Sequence, residues 1–405
     1  MTPAIAGLRA ETIHSVFQPI VDLHEATVVG FEALARGPRG PMESPMAMLA
    51  EARALGQMSE LDTMFRESAL RYASEAGISA PLTLFVNADP VALDVDALAA
   101  FPACDPSFLG VVEITERALM SQPAQLMAAV DHLRELGWGI ALDDLGSDPS
   151  VTALMPLVEP DVIKLDMSLA QAQPDHVVAE VVCAVRAHAE ATDCQIVAEG
   201  IETADHYAAA LAMGADLGQG MLLGEPSRLP DATDKQGALG LRQRPRTLAP
   251  SGSPFAHLPP GREPRRASVA LLHEMSKHLE REARRIGSTA VLLSSFQDER
   301  YFGAETRRRY GVLARRVGLV GVMGRGLRPN RGANLHVAEL DDGDPLASEW
   351  DVVVVGPHFA AALLAREIGD EDLDVPGSPR EFEYQMTFDR DIVVGAARSL
   401  MSRLR

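Results

Sequence analysis

Polar side chains stand at the ends of seven short apolar runs in the first 230 residues: Glu32, Asn87, Glu113, the pair Asp143-Asp144, Lys164, Glu199 and Gln219. Carboxylates gathered at one place repel each other, and divalent cations relieve the cost. Carboxylate and amide oxygens are hard ligands suited to Mg2+ or Mn2+ rather than to metals that prefer thiolate. Adjacent Asp143 and Asp144 let one carboxylate bridge two ions about 3.5–4 Å apart while the other holds one, and such a pair clamps the attacking and leaving oxygens of a phosphodiester. Lys164 then orients the water or balances charge, and Glu199 accepts its proton.

Each residue alone has an ordinary reading. A Glu after a strand is commonly a solvated loop residue or a helix cap, Asp143-Asp144 can begin a turn before Gly146, and Asn87 before Asp89-Pro90 suits an Asx turn. Lys164 alone reads as a salt-bridge partner of Asp166 or Glu199. The constellation carries the inference.

The elements that must position it follow from the spacing. The polar ends recur at steps of 20 to 55 residues, and all but the longest step suit one strand plus one helix. Helical patterns with apolar residues three and four apart lie between the runs, as in PAQLMAAVDHLRELG, with Gly137 as a C-cap, and HVVAEVVCAVRAHAEATD. Strands alternating with amphipathic helices over about 230 residues predict a TIM-like (β/α) barrel, whose C-terminal strand ends form the active-site face.

From Leu229 to Arg266 the chain is rich in Pro, Gly, Ser and Arg without a hydrophobic period, so residues 231–266 read as a solvated linker. Residues 267–405 mix helical patterns (SVALLHEMSKHLEREARRIG, ETRRRYGVLARRVG) with strands (TAVLLSSF, LVGVMG, NLHVAEL, WDVVVVG) and form a smaller α/β domain.

Of 405 residues, 47% are hydrophobic and 23% charged, which excludes disorder as the main theme, and the formal charge of −20 disfavours nucleic-acid polymers and anionic membranes. No signal-peptide pattern and no apolar run of about 18 residues is visible, so a cytoplasmic protein without membrane insertion is expected. Cys104, Cys183 and Cys194 lack metal-ligand spacing and read as small buried side chains in a reducing compartment.

Gln18-Pro19-Ile20-Val21-Asp22, followed by Gly30-Phe31-Glu32-Ala33-Leu34-Ala35-Arg36, resembles the opening of the EAL-domain family of cyclic di-GMP phosphodiesterases. The resemblance continues through Asn87, Glu113-Ile114-Thr115-Glu116, Asp143-Asp144-Leu145-Gly146, Lys164-Leu165-Asp166, Ala198-Glu199-Gly200-Ile201-Glu202 and Gln219-Gly220, covering residues 10–228. It implies a barrel, usually dimeric, that hydrolyses cyclic di-GMP to linear pGpG with Mg2+ or Mn2+ in a two-metal site. Glu32, Asn87, Glu113, Asp143 and Asp144 are then the metal ligands, and Glu199, Lys164, Asp144 and Gln219 the catalytic set. Gln18, Glu32, Leu34 and Arg36 contact substrate, and Glu116 braces the loop after Asp144. Calcium is expected to inhibit.

The sequence departs from the family in that loop, where Asp143-Asp144-Leu145-Gly146-Ser147-Asp148-Pro149-Ser150-Val151 replaces the usual DDFGTGxSS, and also at Asn87-Ala88-Asp89 and His206. Because the loop links dimerisation to metal binding in the family, the change supports a rival reading: a weakly active or inactive cyclic di-GMP receptor. LLSSFQDERYFGAETRRRYGVLARR and WDVVVVGPHFAAALLARE resemble the DICT sensory domain, whose signal is not readable here. Arg307, Arg308 and Arg309 read as a solvated helix face.

Overall fold

The computed structural model describes residues 8–89, 101–115, 122–146, 148–171, 175–228, 236–241, 252–259, 261, 263–331, 334–368 and 380–404. The chain divides into two units, one of residues 1–118, 129–147 and 160–247, the other of residues 119–128, 148–159 and 248–405. No helix among the described residues is long and apolar enough to cross a membrane.

In the first unit, β1 (His14–Asp22), β2 (Val28–Arg36), β3 (Thr83–Ala88), β4 (Leu109–Thr115), β5 (Gly139–Leu145), β6 (Val162–Leu165), β7 (Gln195–Ala198) and β8 (Leu217–Gly218) close into a barrel in chain order. β1 runs antiparallel to both β2 and β8, and the other neighbours are parallel. The expected TIM-like barrel is present, with its first strand reversed. The helices expected at PAQLMAAVDHLRELG and HVVAEVVCAVRAHAEATD form as Pro123–Glu135 and His176–Thr192. The Asp175 carboxylate caps the second, accepting from Val177 and Val178 N–H at 2.9 and 3.0 Å.

The interior layer takes one apolar residue from each strand: Ile20, Val29, Phe85, Val111, Ala141, Val162, Val197 and Leu217. Side chains on a strand return to the same face every second residue. Two positions beyond six of these residues come Asn87, Glu113, Asp143, Lys164, Glu199 and Gln219, so the pleat that buries the apolar layer also aims the polar one inward. Two positions before Ile20 on the reversed β1 comes Gln18. On β2 the register slips, Ile20 facing Gly30 and Val21 facing Val28, and the extra residue Val29 corrects the phase so that Glu32 also turns inward. Part of the segment read as a linker is ordered: Leu239 is buried in this layer, and Gln236 bridges to Val28.

The second unit is built on an eight-stranded sheet of β9 (Arg265–Ser268), β10 (Val291–Asp298), β11 (Leu319–Arg325), β12 (Asn330–Arg331), β13 (Leu335–Glu339), β14 (Glu349–Val355), β15 (Ala360–Glu367) and β16 (Glu381–Thr387). Their order is β12-β13-β11-β10-β14-β15-β16-β9, so Arg265 and Arg266, read as linker, belong to an edge strand. The helices Val269–Ile286 and Ala304–Leu313 bury Leu272, Leu279, Tyr310 and Leu313 against Leu292, Val320, Val352 and Leu363. The helix Arg390–Met401 packs on β10, β14 and β15. In this unit the residues 149–158 are mostly buried, and the Arg398 guanidinium donates to the Leu157 carbonyl.

Two sequence expectations need correction. Cys183 is exposed rather than buried, because it lies on the outer side of its helix. Arg309 is not on a solvated face: its Nε lies 2.6 Å from the buried Glu280 carboxylate.

Candidate active site

The convergence of β2, β4, β5, β6 and β7 brings four carboxylates onto one ammonium. Lys164, fully buried, places its Nζ 3.1 Å from Glu32 Oε2, 2.8 Å from Glu113 Oε1, 3.3 Å from Asp143 Oδ1 and 2.7 Å from Glu199 Oε1. Of the two partners read for Lys164 alone, Glu199 is thus an ion-pair partner. Burial alone would discharge the lysine, but the surrounding carboxylates outweigh it and hold the ammonium well above its ordinary range.

The acids divide by their neighbours. Burial pushes the Glu32 carboxyl up, yet Lys164 and the Gln219 and Asn87 amides more than offset that and hold it below its usual value. Gln219 Nε2 donates to Glu32 Oε2 at 2.7 Å and to Gln18 Oε1 at 3.1 Å, and Asn87 Nδ2 donates to Glu32 Oε1 at 2.9 Å. Among the described residues no amide donates to the Glu113 carboxylate, and burial followed by the Glu32 charge drives it well above the carboxylate range. Glu199 is raised to about 7 by burial, with Asp143 and Glu32 adding to it and Lys164 opposing.

The donor set fits a hard divalent cation. Ligand atoms of Asp143, Asp144 and Glu199 lie within 4.8 Å of one another. Glu113 Oε2 is buried without a hydrogen-bond partner among the described residues, an arrangement that costs free energy until a cation or proton meets it. Asn87 spends its amide N–H on Glu32, leaving its carbonyl oxygen as a neutral donor. Asp144, next to last in β5, sits at φ +60°, a left-handed conformation; Asp143 is buried and Asp144 exposed.

Gly220 holds Gln219 in place. Its φ is +155°, and a Cβ there would lie 2.3 Å from the Ile201 backbone, whose N–H donates to the Gln219 carbonyl at 3.0 Å.

Beside the acids opens a cavity of about 600 Å3 lined by Glu32, Leu34, Arg36, Asn87, Asp143 and Asp144. Its far wall holds residues the sequence reading did not single out. Arg66 Nη1 lies 2.6 Å from Asp62 Oδ2, both side chains are buried, and Asp62 Oδ1 accepts the Asp89 N–H at 3.0 Å. The i, i+4 spacing of Asp62 and Arg66 on the helix Met58–Glu75 was the available signal, but it is indistinguishable in sequence from a surface pair. Gln18 lies opposite Glu32 in the β1–β2 register. Glu116 lies outside the described residues, as does Ser147.

Residues 4–226 match the model of the EAL domain, and residues 255–368 that of the sensory domain in diguanylate cyclases and two-component systems, DICT. The cyclic di-GMP phosphodiesterase PA2567 of Pseudomonas aeruginosa is 31% identical over 227 residues, 53% of this chain and 38% of that protein. The cyclic di-GMP phosphodiesterase PdeF of Escherichia coli is 25% identical over 249 residues, 58% of this chain and 30% of that protein. The chain therefore spans 30–38% of the length of these two relatives. A solved structure of Klebsiella pneumoniae BlrP1 with manganese and cyclic di-GMP aligns at a TM-score of 0.47 and 26% identity, over 54% of this chain and 57% of that one. With more than half of its length matched by the family model and the inward ring of acids in place, the chain belongs to the EAL domain family.

Proposed function

We propose that the chain hydrolyses cyclic di-GMP to linear pGpG with Mg2+ or Mn2+, under control of its C-terminal sensory domain. The observation that carries this reading is the buried Lys164 ammonium among Glu32, Glu113, Asp143 and Glu199, beside a cavity of about 600 Å3. Glu32, Asn87, Glu113, Asp143 and Asp144 hold two ions, which when bound supply Lewis-acid polarisation of the phosphodiester and acidify a water. Glu199, 2.7 Å from the Lys164 ammonium, is the group that accepts a proton from the attacking water. Lys164 compensates the acids and fixes the orientation of Glu199, and Gln219 locks Glu32 and Gln18 together. Gln18, Leu34 and Arg36 face the substrate. The same reading includes a homodimer through the barrel, a cytoplasmic location, and domains at 1–230 and 267–405 with a tether at 231–266.

The relatives named cyclic di-GMP phosphodiesterases support the substrate. The receptor reading keeps one observation in its favour, the altered sequence from Ser147 to Val151. Chromatography of cyclic di-GMP incubated with the full chain separates the two. Metal-dependent appearance of pGpG, suppressed by calcium and lost in Glu32→Ala, is expected. Intact cyclic di-GMP despite saturable binding would leave the receptor.

A further inference from the structure

The second unit holds a cavity of about 190 Å3 between the helices Val269–Ile286 and Ala304–Leu313 and the strands β10 and β14. An apolar cavity of about 150 Å3 takes benzene. This one therefore has room for one six-membered ring with a small substituent.

Its walls are rings: Phe296, Tyr301, Tyr310 and Trp350. Phe296 and Tyr310 meet edge to face with centroids 5.4 Å apart, and His273 meets Trp350 in the same way at 5.2 Å. A further ring extends such an array by its edge or its face.

The charges around the cavity are already matched. Lys277 Nζ lies 2.9 Å from Glu274 Oε1, Arg309 Nε 2.6 Å from Glu280 Oε2, and Arg380 Nη2 2.7 Å from Glu367 Oε2. An anion gives up its hydration on entering and reaches these cations only by breaking their pairs. A cation finds Glu280 and Glu367 engaged in the same pairs. It also finds the Arg380 and Arg309 guanidinium groups over the Tyr301 and Tyr310 rings, 4.4 and 5.8 Å from their centroids. An uncharged ring pays neither cost.

One buried polar atom of the lining is left over. The Tyr310 hydroxyl is 2.8 Å from Ser294 Oγ, Gln297 Nε2 donates to Glu367 at 3.1 Å, and Ser295 Oγ donates to Asp351 at 3.0 Å. Ser276, 5% exposed, buries its Oγ without a hydrogen-bond partner among the described residues. A buried hydroxyl without a partner costs free energy that a ligand O–H or N–H recovers.

We propose that this cavity binds a small uncharged arene carrying one O–H or N–H group, its ring against the aromatic walls and its polar group on Ser276 Oγ. The site lies within the second unit and gives the sensory domain a ligand class. Its test reads binding, so it stands or falls apart from the hydrolysis proposed for the first unit.

The test is calorimetric titration of the full chain at pH 8 with phenol, beside toluene, cyclohexanol, benzoate and benzyltrimethylammonium. Tryptophan emission is the second readout for phenol, since one of the two tryptophans, Trp350, lines the cavity. Phenol is expected to bind saturably at one per chain with a change in emission, about fivefold or more tighter than cyclohexanol and about tenfold or more tighter than either charged probe. Ser276→Leu fills the cavity and is expected to abolish binding. Ser276→Ala deletes only the hydroxyl and keeps the helix. It is expected to lower the ratio of phenol to toluene affinity about fivefold, the effect of one ordinary hydrogen bond, so the test holds even where the leucine variant does not fold. No heat and no emission change with phenol would overturn the proposal. So would an affinity ratio unaltered in Ser276→Ala, or a preference for benzoate or for benzyltrimethylammonium, which would make the cavity an anion site or a cation cage.

Discussion

Lys164 Nζ, on β6, and Glu199 Oε1, just past the end of β7, stand 2.7 Å apart, the shortest of the four contacts that the lysine makes with carboxylates. The pair ties the group that compensates the acids to the group best placed to move a proton.

Replacing Lys164 by Met removes that compensation. Breaking a buried ion pair from one side costs about 3–5 kcal/mol, because the remaining charges stay buried. Lys164→Met is expected to lower Tm strongly in chelator at pH 8, to recover much of the loss with Mn2+, and to lose hydrolysis by at least about a hundredfold, in line with the loss of a general acid–base contribution. Calorimetric melts with and without Mn2+, paired with a pGpG assay, check it. A Tm unchanged in chelator would refute the compensating role.

Metal affinity is expected to rise with pH. Glu113, a ligand in this reading, is held well above the carboxylate range, and a protonated carboxyl is a poor ligand, while Glu199 beside it is raised to about 7 and loses its proton as a cation's charge arrives. Protons on these groups must leave before or as the ion binds, so Mn2+ binds more tightly at pH 8 than at pH 6 and releases protons. Titration calorimetry at pH 6 in buffers of different ionisation enthalpy counts them, and zero release there would contradict the assignment.

Gly220→Ala forces a side chain into a left-handed conformation and against the Ile201 backbone at 2.3 Å. Such a substitution destabilises by more than about 1 kcal/mol. The displacement reaches Gln219, so substrate affinity is expected to fall together with stability. Melting curves and KM measured side by side decide it, and a variant with native Tm and KM would show the turn to be tolerant.

Asp351 in the second unit is fully buried, and burial followed by the Glu349 charge holds its carboxyl well above the usual value. An acid whose folded pKa exceeds its unfolded one contributes stability that is complete below the unfolded value and declines as pH rises toward the folded one. Asn stays neutral and keeps the shape. Asp351→Asn is therefore expected to match the wild type near pH 4 and to exceed its Tm by about 2–4 °C for each kcal/mol gained at pH 8. Equal Tm at both pH values would count against a strained carboxylate.

The inward ring was legible because strand pleating leaves a two-residue echo: Phe85 and Asn87, Val111 and Glu113, Val162 and Lys164 each alternate between apolar and polar on one face. The reversal of β1 was not legible from alternation, since no helix separates β1 from β2 and the strand ends read as one more apolar run. Asp62 and Arg66 escaped notice because a helical i, i+4 pair looks the same in solvent and at a cavity wall. Leu239 was hidden by its Pro- and Gly-rich surroundings, where one apolar residue makes no period. In the second unit, Arg309 was misjudged because its partner Glu280 lies 29 residues away, beyond any local pattern.

The chain visits its second unit three times, at 119–128, 148–159 and from 248 onward. A gene fragment ending near residue 230 would keep Ala153 and Leu157 while discarding Gly318 and Arg398, against which they lie. Modular exchange of the second unit is thus not a matter of one splice. A recombinant that swaps everything after residue 248 must carry the 148–159 stretch with it or rebuild its apolar surface. Divergence in that short stretch should accordingly track the second unit rather than the barrel whose sequence it interrupts.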